Sequence, residues 1–164
     1  MINRTDILQE LYEYITIPSY VYEEFLQAPY DIKKEVNRMI EKKFIKIKNV
    51  ESMEEIKMFY KFKYNIYIKE VIGNGAASAL ALAKIFNGVL ASNNTRDVAL
   101  TVKAENIAWI KTGDILEYAI DSKLITFKEA NKLWKEMLDK GRHLGKYKTL
   151  TDYLEYKSNR IITE

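Results

Sequence analysis

With 164 residues the chain is long enough for one ordinary domain with a core of its own. It has no cysteine, which excludes a disulfide framework and any thiolate metal site and fits a reducing cytoplasm. A net charge of +3 does not announce nucleic-acid binding by overall balance, so any basic footprint has to be local. The run MINRTDILQE lacks the basic-then-apolar order of a signal peptide. The most apolar window, Val71 to Ala91, is interrupted by Gly73, Asn74, Gly75, Lys84, Asn87 and Gly88, so no membrane span is expected.

In chain order, Ile7, Leu8, Leu11 and Tyr12 give one apolar face to a helix over Asp6–Tyr14, with Thr5 or Asp6 as its cap. Ile15-Thr16-Ile17 reads as a short strand ended by Pro18, and Ser19 opens a second helix through Val21, Phe25 and Leu26. Ile32, Val36, Met39 and Ile40 are spaced for one face of a helix over Asp31–Lys43. Phe44 to Lys48 alternates with period two, a strand wet on one face and near a sheet edge. Its lysines, with Lys42 and Lys43, guard that edge. Ser52-Met53-Glu54-Glu55 has capping-box spacing and starts the next helix. The segment Ile66–Ile72 reads equally as helix end or loop.

The stretch Gly75 to Val98 is the centre of the chain. Alanines let a helix over Ala76–Phe86 lie close to a sheet before Asn87 and Gly88 stop it. Val89 to Ala91 fits a short buried strand of a parallel sheet. The polar turn Ser92 to Asp97 then falls at the carboxyl edge of that sheet, where open α/β folds bind ligands. A helix over Asp97–Lys103, a second buried strand over Ile107–Ile110 and the turn Thr112-Gly113-Asp114 follow. Thr126-Phe127-Lys128-Glu129 is a strong capping box whose helix runs to Gly141, and the tail has a basic loop over Lys140–Lys148 and a last helix near Thr151–Tyr156. Short strands alternating with helices predict an α/β sandwich with a small, mostly parallel sheet flanked by helices. The expectation is one domain over 1–164, with 141–164 as the basic loop and C-terminal helix.

Ile17–Phe25 (IPSYVYEEF), Gly75–Lys84 (GAASALALAK) and Leu90–Val98 (LASNNTRDV) stand in the order and rough spacing of PIN-domain proteins. The chain resembles in particular the predicted nucleic-acid-binding PIN group and VapC-type toxin ribonucleases, and Lys111–Gly141 is similar to that group's C-terminal helices. The resemblance implies a PIN-like sandwich whose carboxylates gather at the sheet edge to hold Mg²⁺ or Mn²⁺ and cut RNA. A divalent cation relieves the repulsion of clustered acids, activates water and steadies charge on phosphate. Residue by residue, it implies Glu24 and Asp97 as metal ligands and catalytic acids, with Asn94 and Thr95 as polar neighbours. It also implies departures. PIN domains open with a strand ending in aspartate, and Met1 matches the run just after that strand. The acid of the GEA-type motif is replaced by Ala76, and Asn93 and Asn94 stand where aspartates are frequent. Weak or absent activity is expected.

Each candidate has a structural alternative. Glu24 is an ordinary exposed helix acid without the resemblance, and Asp97 suits a helix N-terminus in any fold. Asn94 and Thr95 are favoured in turns and caps, as is Asp114 after Gly113. Arg96, Lys140, Arg142, Lys146 and Lys148 are candidates for RNA phosphate contacts and Tyr147 for base stacking, set against an ordinary charged surface. The lone His143 reads as a solvated loop residue. An open position in the sheet would suit a second role, a non-catalytic module that binds RNA, a protein partner or its own copy.

Overall fold

Proline at position 18 sets the first junction. Its φ of −61° suits both the end of a strand and the cap of a helix, so β1 (Ile15–Pro18) stops there and α2 (Ser19–Leu26) begins. The computed structural model describes residues 4–65, 67 and 69–161. The first helix, α1 (Thr5–Leu11), ends three residues short of the expected Tyr14. By Ile15 the chain is already straight, its N–H donating to the Phe44 carbonyl at 2.8 Å.

Helix α3 (Tyr30–Glu41) buries Val36 and Met39 and gives way to β2 (Ile45–Lys48) through Lys43, whose φ of +60° reverses the chain. β1 and β2 pair in parallel, with Ile15 opposite Ile45 and Ile17 opposite Ile47. Ile45 is buried and Lys46 exposed as the alternation predicts, but Ile47 is 42% exposed, so the apolar face is covered at one end only. Ser52 opens α4 (Met53–Lys63) with both bonds of the capping box, Glu55 N–H to Ser52 Oγ and Ser52 N–H to Glu55 Oε2, each 3.1 Å. The ambiguous segment is turn and loop where described, with Ile66 and Ile68 outside the described residues.

Helix α5 (Asn74–Ile85) starts two residues before the expected Ala76 and is closed by Asn87 at φ +49° and by Gly88. β3 (Val89–Ala91), α6 (Thr95–Glu105) and β4 (Ala108–Ile110) follow, and β3 and β4 form a second two-stranded sheet. α7 (Thr112–Asp121), α8 (Phe127–Asp139) and α9 (Leu150–Ile161) complete the chain; α9 outruns the expected Tyr156. α8 has the predicted Thr126 capping box, and Gly141 stands at φ +70° two residues beyond its end.

The architecture is α/β, with small parallel sheets flanked by helices, as predicted. Two details differ. The strands of the described residues stand as two pairs, β1-β2 and β3-β4. The expectation of fully buried strands fails at β3, where only Leu90 is buried and Val89 is 58% exposed, and at β4, where Ala108 is exposed. A strand is buried on both faces when helices cover both sides of a broad sheet; here cover is one-sided.

The chain divides into two compact units, each with its own core. The first contains Tyr12–Leu90 and Asn94–Trp109. Its core joins Phe59 and Phe62 of α4, Leu80 and Ala81 of α5, Leu90, and Val98 and Val102 of α6. The alanines let α4 and α5 approach closely, and each fully buried large side chain contributes roughly 1.5–3 kcal/mol. The fully buried amide of Asn65 donates to Thr101 Oγ1 at 2.5 Å and accepts from the Tyr67 N–H, so it is satisfied. Of the described residues the second unit contains 4–11, Ala91–Asn93 and 110–161, centred on Trp134, Leu116, Leu133, Leu150 and Ile7.

Candidate functional site: carboxylates at helix N-termini

Glu24 is exposed on α2, and its carboxylate lies against the opening turn of α5. A Cβ on Gly75 would come within 2.5 Å of Glu24 Oε1 and 3.3 Å of Val21 Cγ2. Glycine as the second residue of the helix is therefore what lets the acid approach, and the partial positive charge of the helix start favours it there. Asn74, the first residue, accepts a 2.6 Å hydrogen bond from Lys63 Nζ through its side-chain oxygen. Ala76, the third, presents only a methyl group.

Asp97 occupies the first turn of α6. Its N–H donates to Asn94 Oδ1 at 3.3 Å, and Asn94 Nδ2 donates back to Asp97 Oδ2 at 2.8 Å, so Asn94 is the helix cap. Thr95 is the first helical residue and is exposed. The sequence-predicted Asn94, Thr95 and Asp97 thus share one helix start, and Glu24 stands at another; α5 and α6 pack on each other within the first unit. Arg96, 78% exposed, pairs with Glu70 at 2.7 Å.

In the second unit Asn93 and Asp114 are tied up. Asn93 accepts from the Thr112 N–H at 3.1 Å and donates to Thr112 Oγ1 at 2.8 Å, anchoring the start of α7. Asp114 accepts from the Lys111 N–H (2.8 Å), Tyr153 Oη (2.9 Å) and Lys157 Nζ (2.7 Å). Burial alone would raise its pKa; the bonds from Lys157, Lys111 and Tyr153 outweigh that and hold the carboxyl below its usual range. Burial, helped by Asp114, pushes the Tyr153 phenol well above its ordinary value. Capping, the alternative named for Asp114, is its role. Arg142, His143 and Lys148 are exposed on the basic loop, and Lys146 Nζ lies 5.1 Å from the centre of the Tyr156 ring. Arg96 belongs to the first unit; Lys140, Arg142, Lys146, Tyr147 and Lys148 belong to the second.

One cluster escaped the sequence reading. Glu105, at the C-terminal end of α6 where a helix disfavours negative charge, is held by Lys61 Nζ (2.6 Å), Lys84 Nζ (3.6 Å) and the Tyr67 hydroxyl. The bonds from Lys61 and Tyr67 hold its pKa down against burial. Its members lie as far as 44 positions apart, and no spacing rule links them.

Short strands feed helices, with Glu24 against the start of α5 and Asp97 in the first turn of α6, in an α/β protein. The chain belongs to the PIN-domain family: the family DUF3368, a PIN domain, matches residues 1–155. No curated protein and no solved structure matches it. PIN domains generally use divalent metals and commonly bind nucleic acids. Among the described residues no three Asp, Glu or His side chains converge as ion ligands. Mg²⁺ is usually held by one or two carboxylates, with water and substrate oxygens completing its octahedron, and Glu24 and Asp97 are the acids at helix starts of the first unit that could contribute to such a set.

Proposed function

We propose that this chain is a PIN-like protein descended from metal-dependent ribonucleases of the VapC-like kind, folded as one PIN-like domain and with weak or no RNA cleavage of its own. The observation that carries the reading is the Glu24 carboxylate seated against the Gly75 opening of α5, beside Ala76, in a chain of the PIN family. Asp97, with Asn94 and Thr95, forms the second part of the site. Arg96, Arg142, Lys146 and Lys148 contact RNA phosphate, and the protein works in the cytoplasm, with binding of Mg²⁺ or Mn²⁺ weakened or lost. The test is cleavage of structured and single-stranded RNA with each ion. Robust cleavage abolished by Glu24→Ala or Asp97→Ala would overturn the inactive part. Ala76→Glu is the complementary variant, and metal binding gained by calorimetry is the expected result.

A second reading, a non-catalytic module that binds RNA, a protein partner or a second copy, is favoured by the strand pairing. Among the described residues β1 pairs with β2 alone, and an extended segment of another chain adds readily to such an edge. Light scattering after size exclusion separates the two: a strict monomer that binds no RNA at low salt removes this second reading.

A further inference from the structure

The carboxylates at the helix starts leave one feature of the first unit unused, a continuous row of rings. Tyr20 of α2 stacks on Phe59 of α4, with centroids 5.5 Å apart and planes at 12°. Phe59 meets Tyr60 edge-on at 5.2 Å, and Tyr60 stacks on Tyr64 at 6.1 Å and 8°. Phe59 is buried and anchors the row, whereas Tyr60 and Tyr64 are 50% and 59% exposed. Tyr20 stands four residues before Glu24 on α2, one turn away on the same face. The row therefore starts beside the Glu24 carboxylate and runs outward along α4.

Two lysines stand beside its exposed end. Lys57 is exposed one turn before Tyr60. Lys63 Nζ is held by the neutral Asn74 amide oxygen at 2.6 Å and lies 5.7 Å from the Phe59 ring centre, so no acid takes its charge there. Lys61, by contrast, is committed to Glu105. Half-exposed phenol faces stack on flat heteroaromatic groups, and ammonium groups beside them attract phosphate. Unpaired nucleotides offer both, whereas a duplex hides the faces of its bases. An apolar partner helix would have to desolvate Lys57 and Lys63.

We propose that the outer face of α4, with Tyr60, Tyr64, Lys57 and Lys63, is a binding platform for single-stranded RNA that leads the strand toward the Glu24 edge. The proposal rests on the reading of this chain as an RNA-facing PIN protein, and it holds whether or not the chain cuts.

The test is fluorescence anisotropy with a labelled unstructured oligoribonucleotide and a duplex of the same length, at several salt concentrations. The single strand is expected to bind more tightly. Tyr60→Ala with Tyr64→Ala weakens binding roughly tenfold or more, and Tyr64→Phe, which keeps the ring, leaves it unchanged. Lys57→Ala and Lys63→Ala each flatten the salt dependence by about one. Should the double variant not fold, Tyr64→Glu at that exposed position is expected to give the same loss. Tight binding by the folded Tyr60→Ala, Tyr64→Ala double variant or by Tyr64→Glu would overturn the platform and leave the RNA reading standing. Failure of the unaltered protein to bind any RNA at low salt would overturn both.

Discussion

The two units contain the same local pattern and use it differently. In the first, α5 opens with Asn74-Gly75; in the second, α7 opens with Thr112-Gly113. Each glycine is the second residue of its helix, and each leaves room for a side chain to press against the helix start. At Gly75 that neighbour is the end of an exposed, flexible glutamate, while at Gly113 it is the ring of buried Tyr153. The acids behave in parallel. Asp114 is bound by two side chains and a backbone N–H, whereas Asp97 shares its oxygen with its own cap, Asn94, on the surface. What packs over a helix start decides whether its acid becomes a structural tie or stays available to a ligand.

The largest expected effect tests that contrast directly. A methyl at Gly113 would overlap the Tyr153 ring, which the core holds in place, so Gly113→Ala should cost roughly 2–3 kcal/mol. Gly75→Ala displaces the Glu24 carboxylate, presses more mildly on Val21 Cγ2 at 3.3 Å and gains helix propensity, so its net change should stay within about 1 kcal/mol. Urea unfolding of both variants checks this. Equal losses would mean that Glu24 is fixed as rigidly as Tyr153, and the contrast would fail.

Next come the acids themselves. Asp114→Ala strips acceptors from Tyr153 and Lys157 and should cost about 2–3 kcal/mol, against about 0.5–1 for Asp97→Ala, which loses a helix-start charge. Because the Asp114 pKa is depressed in the fold, its stabilisation is present above the unfolded value of about 3.9 and is lost as pH falls through the lower folded value. Asp114→Asn should therefore flatten the loss of stability below about pH 4. The control is Glu105, whose pKa is also lowered: Glu105→Gln should flatten the same acid limb. An unchanged limb in Asp114→Asn would remove the tie ascribed to Asp114. Between the two acids falls Asn93→Ala, at about 1–2 kcal/mol, from two lost bonds to Thr112.

How much of this was legible in the sequence depends on range. The Ser52 and Thr126 capping boxes, the Pro18 junction and the Asn87-Gly88 stop are settled within a few residues, and each was readable. So was the gathering of Asn94, Thr95 and Asp97, because one helix start holds all three. Burial of the strands was not readable, since Val89 is buried or exposed according to what covers it, and that is a tertiary fact. The seat of Glu24 on Gly75 joins positions 51 apart in number, about as far as Lys61 and Glu105, and local patterns do not reach so far. A family resemblance singled out Glu24; no rule of spacing singled out Gly75 as its seat or Glu105 as the centre of an ion cluster.

The smallest expected effect on stability is at Arg96, and it asks which unit meets RNA. Arg96 and Glu70 are both exposed, and such a pair gives back in side-chain entropy most of what it gains in attraction. Arg96→Ala should leave the urea midpoint unchanged. If Arg96 contacts a phosphate, the same variant lowers the salt dependence of RNA binding by about one, because one fewer counterion is released. Arg142→Ala is the matched measurement on the exposed loop of the second unit. A flattened slope in Arg96→Ala with none in Arg142→Ala assigns the contact to the first unit, where Glu24 and Asp97 stand at helix starts. The reverse assigns it to the second, where Asp114 is tied, and availability at a helix start would then not be what marks the RNA-facing side.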